Sequence, residues 1–330
     1  MNAGRSAIEI SVVIPIYREA ESVAPLCRRI VPVLEGLTDR FEILFVDDGS
    51  TDGTLAAIRA EHARDPRVVA VSFSRNFGKE IAIAAGLDHA RGEAVVIMDA
   101  DLQHPPEMIA EFVARWRDGN VMVYGQRTDR SEETRVKRGL TSAFYRLFSR
   151  YGETELPEGA GDFRLIDRRG VQVLRTLGER ARFSKGLYAW IGFRSVGVPF
   201  VVEERQFGTT KWSFRKLFRF AFDGITSFST VPLRVWTYLG GVISLLAFAA
   251  AIYFAVRTAL FGTDVPGYPS LIVSVMFFSG IQLISLGVIG EYVGRIFAEV
   301  KRRPLYVVAE TVGGTAPLPM TRDDRLAVLG

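Results

Sequence analysis

Val95-Val96-Ile97-Met98-Asp99-Ala100-Asp101-Leu102-Gln103-His104-Pro105-Pro106-Glu107 is the stretch that decides how this chain is read. Its first four residues are apolar and mostly β-branched, the pattern of a strand buried on both faces of a parallel sheet. The run then stops in two carboxylates, and Pro105-Pro106 bars the ladder from continuing while suiting the first turn of a helix. In open α/β sheets, ligand chemistry collects at such carboxyl ends. On its own an Asp-x-Asp step also reads as a helix cap and a turn, roles that Asp favours. Its neighbours decide between the readings.

Upstream the pattern repeats. Ile8 to Ile16 is strand-like and passes through Pro15-Ile16-Tyr17-Arg18-Glu19 into a helix reaching about Leu37. Phe41 to Val46 is a second buried strand, ending in Asp47-Asp48-Gly49-Ser50; Val68 to Phe73 is a third, followed by Ser74-Arg75-Asn76-Phe77-Gly78-Lys79 and a helix through Ala90. Such alternation is the signature of βαβ units, so the predicted fold class is α/β, Rossmann-like, a parallel sheet with helices on both faces. Parallel strands gather their polar clusters on one edge. The Gly-x-Gly-x-x-Gly fingerprint of dinucleotide folds is missing, and the edge is acidic: Glu19, Asp48, Asp99 and Asp101 need a bridging cation before a diphosphate can sit there. Asp99 and Asp101 are hard oxygen ligands suited to Mg²⁺ or Mn²⁺ held together with phosphates. Tyr17 offers a ring to stack on a base and Asp48 an acceptor for ring N–H groups, although each also reads as a cap or turn residue.

Val121 to Tyr124 is a further strand. From Gly125 to Arg138 charges alternate without an apolar period, which predicts a surface loop over the site. Within it Arg127, Arg130, Arg135, Lys137 and Arg138 are candidate phosphate ligands, although most of a charge run is simply solvated. A helix is expected over Thr141 to Tyr151. Gly159-Ala160-Gly161 then precede Asp162, and such small residues let backbone and ligand approach closely. A lone Asp after Gly equally reads as a helix cap.

A formal charge of +4 over 330 residues is modest for a nucleic-acid binder, and the basic residues crowd around apolar segments instead. The single cysteine, Cys27, excludes an internal disulfide and reads as a core filler. The first residues lack a basic stretch followed by an apolar one, and Glu9 interrupts the first apolar run, so no secretory signal is expected and the catalytic part is predicted to stay cytoplasmic. Over Ser213 to Ser229 a helical wheel puts Phe214, Leu217, Phe218, Ala221, Ile225 and Phe228 on one face and Arg215, Lys216, Arg219 and Asp223 on the other, the pattern of a helix lying in a headgroup plane. Val235 to Val256 and Val265 to Gly290 carry no charge, and each is long enough to cross a hydrocarbon core of about 30 Å. Two transmembrane helices are therefore expected. Lys211, Arg234, Arg295, Lys301, Arg302 and Arg303 flank them outside, while Arg257 and Asp264 alone lie in the connection, so both ends are predicted cytoplasmic. Leu305 to Ala309 reads as a short strand without a partner in its own domain, open to β-addition by another subunit. The expected division is 1–210 catalytic, 211–232 interfacial, 233–298 hairpin, and 299–330 strand and tail.

With Pro15-Ile16-Tyr17-Arg18-Glu19, Val46-Asp47-Asp48-Gly49-Ser50, Asn76-Phe77-Gly78-Lys79, Asp99-Ala100-Asp101-Leu102-Gln103 and Gly161-Asp162-Phe163-Arg164-Leu165 in register, the chain resembles family 2 glycosyltransferases of the GT-A fold. It is most similar to the polyisoprenyl-phosphate branch, which includes dolichol-phosphate mannose synthase and bacterial undecaprenyl-phosphate glucosyltransferases. The resemblance implies that Pro15, Tyr17, Glu19, Val46 and Asp48 contact the nucleoside, that Asp99, Ala100, Asp101 and Gln103 hold diphosphate, metal and sugar, and that Arg127 belongs to the donor site. It matches Arg138 and Ser142 to a lipid-phosphate pair. In Glu204-Arg205-Gln206-Phe207-Gly208-Thr209-Thr210-Lys211-Trp212-Ser213 it assigns Arg205 and Lys211 to phosphates, with Thr210 and Trp212 replacing the family's Ser and Tyr. Asp162 becomes an orienting group or a base. Gly290-Glu291-Tyr292-Val293-Gly294-Arg295 is similar to members that associate as tetramers.

The implied activity is inverting transfer of one sugar from a nucleotide to a polyprenyl phosphate at the cytoplasmic membrane face. No residue chooses between uracil and guanine, so UDP-glucose follows from the bacterial resemblance, with GDP-mannose or a UDP-4-amino-arabinose type of donor as alternatives. A processive synthase needs more transmembrane helices and a Gln-x-x-Arg-Trp segment, which the sequence lacks. A flippase or scaffold is the reading outside enzymes, and a hairpin without an intramembrane charge pair gives such a flippase little to build a polar path from.

Overall fold

A computed structural model describes residues 8–127, 160–180, 182–200, 231–261 and 267–314. The chain divides into two compact units, Met1–Ala221 with Arg303–Gly330, and Phe222–Arg302.

The first unit is built on one 8-stranded sheet. Its centre is β1 (Ile10–Ile16), β2 (Phe41–Asp47), β3 (Val68–Phe73) and β4 (Ala94–Ile97), every residue of which is buried. β1 pairs in parallel with β2 and β4, and β2 with β3. Continuous apolar runs suit strands covered on both sides. The covering helices are α1 (Ala20–Glu35), α2 (Thr54–Arg64), α3 (Lys79–His89) and α4 (Met108–Arg117). α3 lies so close to β1 that a Cβ at Gly86 would stand 2.1 Å from Val13 Cγ1, which requires glycine there. Cys27 is buried in the core cluster, as its sequence context predicts, and burial first, then Glu61 and Asp65, push its thiol up to about 12.

The sheet is parallel at its centre and mixed toward its ends. β5 (Met122–Arg127) and β6 (Ala160–Asp167) pair antiparallel, β6 also runs antiparallel to β4, and β7 (Ser195–Phe200) is parallel to β5. The cap reading of Asp162 is corrected here: Asp162 lies inside β6. The helix cap is Asp167, whose side chain accepts from the Arg169 amide at the start of α5 (Arg168–Thr176). A short α6 (Ser184–Trp190) follows.

A second correction concerns the terminal strand. β8 (Val308–Val312) does have a partner in its own domain, pairing antiparallel with β3, and Arg59 clamps Glu310 with a salt bridge of 2.6 Å. Tyr306 stacks on Phe73 at 5.0 Å between centroids and donates to Asp88 at 2.9 Å.

The second unit contains α7 (Val231–Phe261) and α8 (Tyr268–Val300). Among the described residues one stretch is long and apolar enough to cross a membrane, Phe277–Val300, with a mean hydropathy of 1.3. α8 continues beyond Gly290 because Glu291 and Arg295 pair one turn apart at 3.0 Å. The expected helices over 141–151 and 213–229 lie outside the described residues.

Candidate active site

The carboxyl edge of the central strands opens into a cleft of about 470 Å³ lined by Pro15, Tyr17, Glu19, Asp48, Asp99, Ala100 and Asp101, together with Ile16, Asn76, Gly78, Lys79 and Ala82. Seven residues singled out from the sequence thus meet in one place. They come from the ends of β1, β2 and β4, which are adjacent and parallel, so their loops converge.

Each loop is shaped by its own residues. Arg18 (φ 54°) and Leu102 (φ 58°) both sit in the left-handed region, which costs a side-chain-bearing residue energy and clusters at functional sites. Leu102 is fully buried, so packing holds the turn that presents Asp101; the Gln103 amide donates to Asp101 Oδ1 at 3.2 Å. Gly49 turns the β2 loop at φ +66°, and a Cβ there would meet the Arg75 backbone at 2.4 Å. Asp48 accepts from the amides of Phe77 (2.6 Å) and Gly78 (2.9 Å), fastening the Asn76–Lys79 loop to the end of β2. Burial raises the Asp48 carboxyl, and those two amides only partly offset it.

The charge pattern centres on Lys79. Its ammonium lies 2.7 Å from Asp99 Oδ1 and 2.9 Å from Oδ2, and 2.8 Å from Asp162 Oδ2. Burial opposes the charge on Lys79, but Asp99 and Asp162 outweigh it and hold the group well above the usual lysine range. Burial likewise works against ionised Asp162, yet Lys79 and Lys185 keep its carboxyl well below the ordinary carboxylate range. Asp162 Oδ1 is buried with no hydrogen-bond partner among the described residues. Behind it, Arg164 lies over the Tyr188 ring at 3.7 Å and donates to the Gly161 carbonyl, and Ser184 donates to Glu80 from both amide and hydroxyl. His104 stacks on Phe163 at 4.9 Å, and burial lowers its pKa.

The donors present fit a divalent ion. They are hard oxygens, and a cation already rests against Asp99. Among the described residues no group of three or more His, Cys, Asp or Glu forms a closed metal cage. Two carboxylates completed by phosphates is the usual Mg²⁺ arrangement.

Other predicted residues fall elsewhere. Val46 is fully buried in β2 opposite Pro15 and does not line the cleft. Arg127 ends β5 beside Phe200. Arg138, Ser142, Arg205 and Lys211 lie outside the described residues, as do Arg130, Arg135 and Lys137. Sequence reading did not single out Lys79, which lines the cleft; its signal was a lysine directly after the Gly78 turn (φ +103°) that opens α3.

Residues 11–175 match Glycosyl transferase family 2, and residues 231–296 match the GtrB C-terminal hairpin. The chain belongs to glycosyl transferase family 2. It is 50% identical over 93% of its length to an uncharacterized glycosyltransferase of Synechocystis, of which it covers 96%. It is 43% identical over 93% of its length to a prophage-derived bactoprenol glucosyl transferase of Shigella flexneri, covering 99% of that protein. Among solved structures, a mannosyltransferase from Pyrobaculum calidifontis in complex with GDP-Man and Mn²⁺ is 19% identical, with a TM-score of 0.48 over 90% of this chain and 88% of the other.

Proposed function

We propose that this glycosyltransferase moves one glucose from UDP-glucose onto a polyprenyl phosphate at the cytoplasmic face of a membrane, inverting the anomeric centre. The observation that carries the reading is that Asp99, Asp101 and Lys79 line one cleft with the Pro15–Glu19 and Asp48 loops, and that Lys79 ties Asp162 to it. The bactoprenol glucosyl transferases at 43–44% identity supply the sugar and the lipid.

Asp99 and Asp101 would hold a divalent ion, Mg²⁺ or Mn²⁺, which when bound would neutralise the charge that develops on the leaving diphosphate. Tyr17, Glu19 and Asp48 take the nucleoside, Gln103 the sugar, and Arg127 the donor phosphates. An acceptor phosphate oxygen bonds to the anomeric carbon from the face opposite the diphosphate, and UDP departs with the electron pair of the broken bond. A phosphate monoester is largely a dianion at neutral pH, with its second pKa near about 6, so no proton needs removing. Asp162, held ionised, is a weak base and serves instead to orient the acceptor and stabilise positive charge on the ring. Arg138, Ser142, Arg205 and Lys211 complete the acceptor-phosphate site.

The second unit is read as a two-helix membrane hairpin with both ends cytoplasmic, preceded by the 211–232 interfacial helix, in a tetrameric enzyme. The match to a C-terminal hairpin supports the hairpin, as do the bare apolar side chains of both helices, such as Leu245 at 71% and Leu283 at 69% exposure.

The test incubates the full chain in detergent with undecaprenyl phosphate and, separately, radiolabelled UDP-glucose, GDP-mannose and a UDP-amino sugar. Label from UDP-glucose should partition into the organic phase. Lipid-linked label from another donor corrects the sugar; none from any donor overturns the reading.

A further inference from the structure

The proposed mechanism leaves the Lys79 ammonium without a role, although it makes the shortest ionic contact to Asp99, one of the two carboxylates that reading assigns to the metal. We propose that Lys79 is a tethered counter-ion that occupies the cation seat at Asp99 when no divalent ion is bound, competes with that ion for the carboxylate, and keeps Asp162 when it gives Asp99 up. The proposal rests on the metal reading and extends it to a residue outside the Asp-x-Asp.

Geometry favours competition over a fixed salt bridge. Both Asp99 oxygens lie within 2.9 Å of Nζ, so the ammonium claims the carboxylate edge that a metal ion would use. A hard cation cannot share that edge with a positive charge at contact distance without strong repulsion. The lysine side chain is 43% exposed and lines the cleft. Its stem enters from the first residue of α3, after the Gly78 turn, so it reaches Asp99 and Asp162 from a third element independent of both carboxylate-bearing strands. Once released from Asp99, the ammonium still has Asp162 Oδ2 at 2.8 Å, and Asp162 Oδ1, buried and without a partner among the described residues, offers a second contact. Without this cation, Asp99 and Asp162, each within 2.9 Å of its Nζ, would stand near each other as like charges. Lys79 therefore balances the two carboxylates and sets how strongly Asp99 takes a divalent ion.

The experiment measures Mn²⁺ binding to the full chain in detergent, without nucleotide, from the electron paramagnetic resonance signal of the free ion. Lys79→Met should bind Mn²⁺ about tenfold tighter or more than the wild type, since an opposing charge at contact distance is removed. Lys79→Arg, which restores the charge, should bind no tighter than the wild type. Unchanged or weaker binding in Lys79→Met overturns the inference. Lys79→Gln, which keeps a donor for Asp162, carries the same two outcomes if the methionine variant does not fold. Asp99→Asn separates this inference from the reading beneath it. Lost binding there with no gain in Lys79→Met sinks the counter-ion role alone, whereas binding unaffected by Asp99→Asn sinks the metal assignment itself.

Discussion

The two edges of the central sheet carry charged clusters of similar size built in opposite ways. At the amino edge, Glu42 is 1% exposed and saturated: it accepts from Ser11 Oγ at 2.6 Å, from the Arg91 amide at 2.8 Å and from the Arg91 guanidinium at 2.5 Å and 2.8 Å. Arg168 closes the same edge on the carbonyls of Ala90 and Gly92. At the carboxyl edge, Asp162 keeps one buried oxygen without a partner among the described residues, two side-chain-bearing residues sit at positive φ, and one lysine serves two carboxylates. A satisfied network stabilises a fold; an under-satisfied and strained one is what a ligand completes. The difference teaches that charge density alone does not mark a site, whereas backbone strain and one cation shared between two carboxylates beside a cleft do.

The sharpest way to break this comparison is to remove one charge from each edge. Asp101→Asn should cost at least about a thousand-fold in turnover, at the upper end of what one electrostatic partner supplies in a transition state, and leave the melting temperature nearly unchanged. Assay and thermal unfolding on one preparation would check both. Glu42→Gln should do the reverse, losing about 2 kcal/mol of stability because charged hydrogen bonds to Ser11 and Arg91 are weakened, with turnover per folded molecule intact. A catalytic collapse in Glu42→Gln would erase the distinction between the edges. Gly86→Ala probes the layer between them: the added methyl overlaps Val13, and overpacking of this kind costs about 1–3 kcal/mol, visible as a lower melting temperature.

A further effect appears only in alkali. The Cys27 thiol is raised to about 12 by burial in the folded chain, while an unfolded thiol ionises near about 8.5. Its contribution to stability is thus complete below about pH 8.5 and is lost as the pH climbs from there toward 12. Cys27→Ala should flatten the alkaline slope of the melting temperature; an unchanged slope would assign it to other groups.

Sequence alone made the centre of this molecule legible because β1 to β4 are buried on both faces and read as unbroken apolar runs. β6 was hidden: Phe163 and Leu165 face the core while Arg164, buried against Tyr188, breaks the pattern, so Asp162 looked like a cap. β7, with Gly197 and Pro199 in an edge position, carries weak strand signals. The pairing of β8 with β3 joins residues far apart along the chain, which no local pattern encodes. The cleft was readable because Pro15, Tyr17, Glu19, Asp48, Asp99, Ala100 and Asp101, which line it, lie at or just beyond the ends of predicted strands. Lys79 was not, because its meaning depends on Asp99 and Asp162 arriving from two other elements.

Calorimetric titration of UDP into the purified full chain, with Mn²⁺ and then with excess chelator, tests the carboxyl edge as a metal-bridged nucleotide site most directly. Binding in Mn²⁺ that is lost with chelator, and lost again in Asp101→Asn, is the predicted result. UDP binding of equal strength under all three conditions would contradict it.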